Sequence, residues 1–206
     1  MEHSYRKAGY LQENYHYFHL RDTAGQERDF HFHDFDKIVL LLSGRVDYLV
    51  EQQSYALRPW EVLLVKRHAI HKALIDRSEP YERIIIYLDR QYFDRSLPQA
   101  RLMDCFDSAY RSGRHLLVPD EGQRAELAET LMAFERARED ERFGAEAMRD
   151  TLMMQILIQI GRMGAAVRPE GEQEDRAEYL DKVMTMKMPG ANIEYVSKST
   201  AFSRRM

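Results

Sequence analysis

The chain has 206 residues, the length of one domain, or of one domain with a helical appendage, and enough to bury a real core. Hydrophobic residues make up 44% and charged residues 31%, with 6 Pro and 10 Gly, a globular balance that excludes collagen, linker and low-complexity classes. The 30 basic and 34 acidic side chains leave a formal charge of −4, which excludes the basic field of a nonspecific nucleic-acid coat and confines any DNA contact to a local patch.

Residues 1–20 are rich in Tyr, His, Glu and Arg and lack an apolar h-region, so they do not read as a signal peptide. No apolar run approaches the ~20 residues of a membrane helix. The single Cys105 can form neither an intrachain disulfide nor a CxxC-type zinc site, which fits a reducing cytoplasm. From Tyr15 to Asp89 short runs of Val, Ile, Leu, Phe and Tyr alternate with polar or Gly/Pro breaks. They predict strands at 15–20, 29–35, 37–42, 45–51, 54–57, 62–65, 71–75 and 82–89. Turns are expected at Ser43-Gly44, at Gln52-Gln53 and at 58–61. No helical stretch separates these strands, so an antiparallel sandwich or barrel is favoured over βαβ units.

After Asp89 the better helix formers Ala, Glu, Arg, Leu and Met dominate. Asp120 after Pro119 is a helix N-cap, and Leu127, Leu131 and Phe134 recur at helical spacing through Arg138. A second helix is expected over 145–163. Its middle, 152–160, is apolar nearly all round, which calls either for a partner chain or for burial within the monomer. Glu170, Glu172, Glu174, Asp175, Glu178 and Asp181 read as a solvated acidic linker. The last residues combine a short helical pattern, a Pro189-Gly190 break and a polar tail from Val196 to Met206.

Two constellations carry chemistry. Period two sets His31 and His33 on one face of a strand, and His71 opens a later strand, so the three can converge inside a barrel. Neutral imidazoles suit Zn, Fe, Mn or Cu, or line a pocket for an organic ligand. The layout resembles the cupin signature, HxH followed by a carboxylate and Gly44, then a second half ending in His. The resemblance implies a Glu at the position held by Lys37, and a cation there can neither ligate a metal while protonated nor tolerate one nearby. Asp36 is adjacent, but alternation turns it to the opposite face. In the tail, Ser197, Lys198, Ser199, Thr200, Arg204 and Arg205 set small hydroxyls and cations on a helix, as a helix approaching phosphates and base edges needs; such tails are also often simply solvated.

The order as a whole, a strand-rich half with the segment from His31 to Gly44, then an amphipathic helix pair, an acidic linker and the 197–205 segment, resembles the AraC family of bacterial transcription regulators. That resemblance implies a mainly β plus α fold, a cupin-like jelly-roll barrel followed by a helical dimerisation region. It divides the chain into a barrel with an N-terminal arm at 1–95, helices at 96–167, a linker at 168–176 and the remnant of a helix-turn-helix at 177–206. The implied function is to bind a small-molecule effector, dimerise and control DNA binding in the cytoplasm, with no enzymatic activity, no cofactor and no membrane contact. The 30 residues after Arg176 fall short of the three helices of a reading head, so DNA is a partner only if that unit is complete. Within the barrel His33, Tyr48, His71, Arg83 and Tyr87 are the expected ligand-binding residues, each tyrosine being alternatively a core residue with a backbone partner. No metal is expected. The alternative is a cupin metalloenzyme, of dioxygenase or sugar-isomerase type, holding a divalent ion on His31, His33 and His71.

Overall fold

A computed structural model describes residues 6–22, 29–76 and 78–165. The linker and tail expected at 168–206, with Ser197, Lys198, Ser199, Thr200, Arg204 and Arg205, lie outside the described residues. Among the described residues ten strands build two sheets: β1 (Arg6–Lys7), β2 (Tyr15–Asp22), β3 (His31–Phe32), β4 (Asp36–Ser43), β5 (Val46–Val50), β6 (Gln53–Leu57), β7 (Val62–Val65), β8 (His71–Ile75), β9 (Tyr81–Leu88) and β10 (Leu116–Leu117). Their orders are β1-β3-β8-β5-β6 and β10-β7-β4-β9-β2. Every pairing is antiparallel except that of β1 with β3. The expected mixed fold with an antiparallel strand-rich half is what the chain forms.

Alternation along the strands separates two cores. Val39, Leu41, Val46, Tyr48, Val50, Leu63, Val65 and Tyr81 pack between the sheets. Ile38, Leu40, Val62, Leu64, Ile84, Ile86 and Leu88 point the other way and meet helices. Those helices are α1 (Arg90–Ser96), α2 (Asp104–Ser112), α3 (Glu121–Arg138) and α4 (Ala145–Ala165). The second sheet is thus apolar on both faces, which the near-continuous run Ile38-Val39-Leu40-Leu41 already encodes.

Strands β7 and β8 have the expected bounds, and α3 starts after Asp120 with a full capping box: Gln123 N donates to the Asp120 carboxylate at 2.8 Å and Asp120 N donates to Gln123 Oε1 at 3.0 Å. Leu127, Leu131 and Phe134 are buried as expected. Other readings need correction. The strand expected at 29–35 is reduced to His31–Phe32, because the chain must bend at Asp34 and Phe35 to leave one sheet and enter β4 in the other. Ser43-Gly44 joins strands of different sheets, so it is a corner rather than a hairpin turn. Gly44 has φ +89°, and a Cβ there would lie 2.7 Å from the Pro80 carbonyl oxygen. The β5–β6 turn sits one residue earlier than expected, at Glu51-Gln52. The short helices α1 and α2 fall in the part expected to be helical but had no bounds forecast, and strand β10 had no forecast; it returns from the helical segment to pair with β7.

Helix α4 carries the other correction. Met153, Ile156, Leu157, Ile160 and Met163 are all buried within the chain itself, against the sheet and α3. Ile156 and Ile160, in the stretch that called either for a partner chain or for burial within the monomer, belong to the monomer core. Its exposed stripe holds Met148, Thr151, Gln155, Ile158 and Arg162. No helix among the described residues is long and apolar enough to cross a membrane.

Polar links tie the helices to the sheet. Tyr15 and Tyr92 both donate hydroxyl hydrogens to Asp150 of α4, at 3.0 and 2.7 Å, and Tyr17 donates to Glu135 of α3 at 2.8 Å. The most buried link is Asp36, 0% exposed, which accepts from Arg90 Nε at 3.0 Å and from Arg67 N at 2.9 Å. Arg90 also reaches Asp107 of α2 at 3.1 Å, and Lys66 meets Asp107 at 3.0 Å. Replacing Arg90 with Met leaves a buried carboxylate without its cation, so urea denaturation is expected to show a loss of about 3–5 kcal/mol. Adding Asp36→Asn to that variant should recover most of it; no recovery would mean that Arg90 acts through packing alone.

Candidate functional site

The β3–β8 register pairs His31 with His71, and His33 follows two residues on, so one sheet edge brings three imidazoles to one place. Their ring centroids are 4.4–5.0 Å apart, and one ligand atom from each lies within 4.8 Å of the others. All three are buried, His33 to 2% and His71 to 1% exposure.

Backbone carbonyls orient these rings. His31 Nδ1 donates to Asp29 O at 2.7 Å, His71 Nδ1 donates to Ala69 O at 3.0 Å, and His33 Nδ1 donates to Ala8 O. A carbonyl only accepts, so each Nδ1 carries the hydrogen and, in a neutral ring, Nε2 holds the lone pair. The segment Ala8-Gly9 packs on the cluster: Ala8 N donates to Phe32 O at 2.9 Å, and Gly9, at φ +80°, comes close to Phe35 and His33. Burial first, and the Lys37 charge second, hold the His71 imidazole well below the usual histidine range. Its Nε2 has no hydrogen-bond partner among the described residues.

The rest of the barrel interior surrounds this cluster. Lys37 is 7% exposed and faces inward from β4, with its ammonium 5.6 Å from the centre of the Tyr48 ring. Tyr48 stands on β5 with its hydroxyl pushed well above the ordinary tyrosine range by burial and by the neighbouring Tyr81. On β9, the Arg83 guanidinium lies 4.3 Å over the Tyr81 ring and donates to Tyr81 O. Tyr87 lies 5.8 Å from the His33 ring and 4.2 Å from Phe35, which itself stacks on His33 at 4.5 Å. The structure therefore brings His33, His71, Tyr48, Arg83 and Tyr87 to one interior. Sequence reasoning missed Phe35 and Tyr81; both follow from period two, Phe35 two residues beyond His33 and Tyr81 two before Arg83. Asp36 faces the helices, as alternation required.

The donor set and the charge of the site disagree about a metal ion. Three Nε2 lone pairs suit a divalent cation. The ammonium of Lys37 does not: it offers no lone pair, and its field, felt at His71, opposes a second cation in a buried space. As they stand, the residues do not fit a resident metal. Two surface clefts, of about 680 Å³ beside Arg138 and Arg149 and about 460 Å³ beside Lys66 and Tyr110, lie elsewhere and touch none of the three imidazoles.

Comparison with known proteins gives a family. A family model described as "AraC-like ligand binding domain" matches residues 13–157. No curated protein sequence matches the chain. Among solved structures, a cupin-2 domain protein from Shewanella frigidimarina is 18% identical, with 39% of this chain and 76% of that chain covered at a TM-score of 0.32. A cupin 2 conserved barrel domain protein from Salinispora arenicola is 14% identical, with 41% and 71% covered at 0.35. A DMSP lyase from Ruegeria pomeroyi is 18% identical, with 37% and 39% covered at 0.34.

The protonation of the buried imidazoles sets a pH dependence. Burial lowers both His71 and His115, the latter donating from Nδ1 to Leu64 O at 2.9 Å. As pH falls, the unfolded chain takes up these protons first, near 6.5, so stability is full above that value and declines below it. Denaturation midpoints at pH 7, 6 and 5 are expected to fall in that order, and His115→Gln, which can still donate to Leu64 O, should flatten part of the slope. An unchanged slope would show that His115 does not contribute.

Proposed function

The chain belongs to the AraC-like ligand-binding domain family, and from that premise we propose that its barrel interior binds a small organic effector and serves as the sensing part of a transcription regulator rather than as an enzyme. The observation that carries this reading is the gathering of two cationic heads, Lys37 and Arg83, with the imidazoles of His33 and His71 and the rings of Tyr48 and Tyr87. Imidazole Nε2 atoms accept hydrogen bonds, and ammonium and guanidinium groups donate them. A ligand bearing both hydroxyl and carboxylate groups meets both needs, with the aromatic rings bounding its apolar part. Control of DNA binding would pass to residues 177–206, whose expected contacts Ser197, Lys198, Ser199, Thr200, Arg204 and Arg205 lie outside the described residues.

Thermal unfolding in the presence of gluconate, benzoate or glucose tests the ligand chemistry. The hydroxy-carboxylate is expected to stabilise most, by about 2.7 kcal/mol at a hundredfold excess over Kd. Lys37→Met and Arg83→Met should each weaken that binding by roughly tenfold, the scale of one charge-assisted hydrogen bond. Stabilisation by glucose alone, unaffected by these variants, would refute the cationic reading.

The competing reading, a cupin metalloenzyme of dioxygenase or sugar-isomerase type on His31, His33 and His71, is favoured by the convergent lone pairs and opposed by Lys37. Elemental analysis of the purified chain separates the two. The expected result is no stoichiometric metal; about one Zn, Fe or Mn per chain, lost in the His31→Ala and His33→Ala variants, would establish the enzyme reading instead.

A homodimer is part of the same proposal. With Ile156 and Ile160 in the monomer core, the contact would use the exposed apolar side chains of α4, Met148 and Ile158. Sedimentation at micromolar concentration should give a dimer that Ile158→Glu converts to a folded monomer, and a monomeric unmodified chain would remove dimerisation from the proposal.

A further inference from the structure

The turn at residues 66–69, within the connection between β7 and β8, touches both the barrel interior and the helical layer. On the barrel side, Ala69 O accepts from His71 Nδ1 at 3.0 Å, and His68 N donates to His33 O at 2.7 Å. On the helical side, Arg67 N donates to Asp36 Oδ1 at 2.9 Å, and Lys66 Nζ meets Asp107 of α2 at 3.0 Å while lying 4.9 Å over the Tyr110 ring. Ala69 N donates to Lys66 O at 3.0 Å and closes the turn on itself. His68 stands at φ +66°, in the left-handed region that a residue with a Cβ occupies only when its surroundings hold it there.

Arg90 completes the connection. Its guanidinium is shared between Asp36, on the carboxylate oxygen that Arg67 N leaves, and Asp107, and it also donates to Met103 O. Six hydrogen bonds and ion pairs therefore run from the ring of His71 through Ala69, Lys66 and Arg67 to Asp36, Arg90 and α2. None of them includes a residue of α3.

We propose that the turn 66–69 is the relay by which occupancy of the imidazole cluster alters the packing of α1 and α2. The inference rests on the barrel interior being the ligand-binding site and adds how its state reaches the helices. A group bound at His71 Nε2 reorients that ring; the ring is held through the Ala69 carbonyl, so the turn follows. The turn's backbone holds Asp36, and any displacement redistributes Arg90 between its two carboxylates. Close packing makes such a network shift between discrete arrangements rather than deform gradually.

Amide hydrogen exchange on the full chain tests this without any ligand, so its failure leaves the site assignment, read by thermal stabilisation, untouched. His71→Ala removes the ring's bond to Ala69. It is expected to speed exchange at 66–69 and along 104–112 on the order of fivefold, one hydrogen bond's worth of protection, with 121–138 unchanged. Asp36→Asn together with Lys66→Met, made in the same background, removes both links from the turn to α2 and is expected to abolish the response at 104–112 while leaving that at 66–69. Exchange unchanged at 104–112 in His71→Ala, uniform acceleration everywhere, or a response that survives both changes would each overturn the relay. If His71→Ala does not fold, Arg90→Lys probes the path from its other end. It should shift the ¹⁵N resonance of His71 Nδ1, since coupling is reciprocal, and an unmoved resonance would likewise overturn it.

Discussion

Strand β4 is buried on both faces, so each step of its pleat hands the next side chain to a different interior. Lys37, Val39 and Leu41 enter the barrel, whereas Asp36, Ile38 and Leu40 enter the layer beneath the helices. For the apolar residues the two destinations are equivalent. For the opposite charges of Asp36 and Lys37 they are not, because a charge leaves water at a cost of several kcal/mol unless something answers it. Arg90 of α1 answers Asp36, and that requirement places α1 and α2 against the sheet. The helical layer is therefore held by charge as well as by the apolar faces of Phe93, Met103 and Phe106.

The inward half of the alternation makes the site. A buried imidazole is committed to one tautomer by the group that its Nδ1 meets, and here the three rings meet carbonyls from three different stretches of chain, at Asp29, Ala8 and Ala69. The cluster is thus a property of the folded backbone around it, and the segment beside β1 and the β7–β8 turn are as much part of it as the histidines themselves. Lys37 then sets its electrostatic character. With a carboxylate in that place the same three rings would suit a cation; with an ammonium they stand beside a group that only donates hydrogen bonds and repels one.

Helix α4 illustrates how pattern and partner differ. An apolar circumference says that a helix must be covered on most sides, and it is silent on what covers it. Much of that demand is met inside the chain by the outer face of the second sheet and by α3, where Gln159 donates to Thr130 at 2.9 Å and Arg149 to Ala137 O at 3.4 Å. What is left to solvent is the narrower stripe containing Met148 and Ile158.

The sequence by itself determined the elements whose information is local. Alternation placed β7 and β8 and set His31 and His71 on strands that pair, with His33 two residues on; Asp120 and the spacing of Leu127, Leu131 and Phe134 placed α3; the charge of Lys37 stood out at once. It did not set the bounds of α1 and α2 or reveal β10; α1 and β10 are too short to carry a period, and contacts with residues distant in sequence stabilise them, such as Arg90 with Asp36 and Leu116 with Leu63. Nor could it show that Ser43-Gly44 turns a corner between sheets, since a turn's residues record its backbone angles and not the strands it connects. Which side of α4 is covered, that Ala8 supplies the carbonyl for His33 and where the Asp36 charge is neutralised were decided only by the tertiary structure, because each depends on a partner more than ten residues away along the chain.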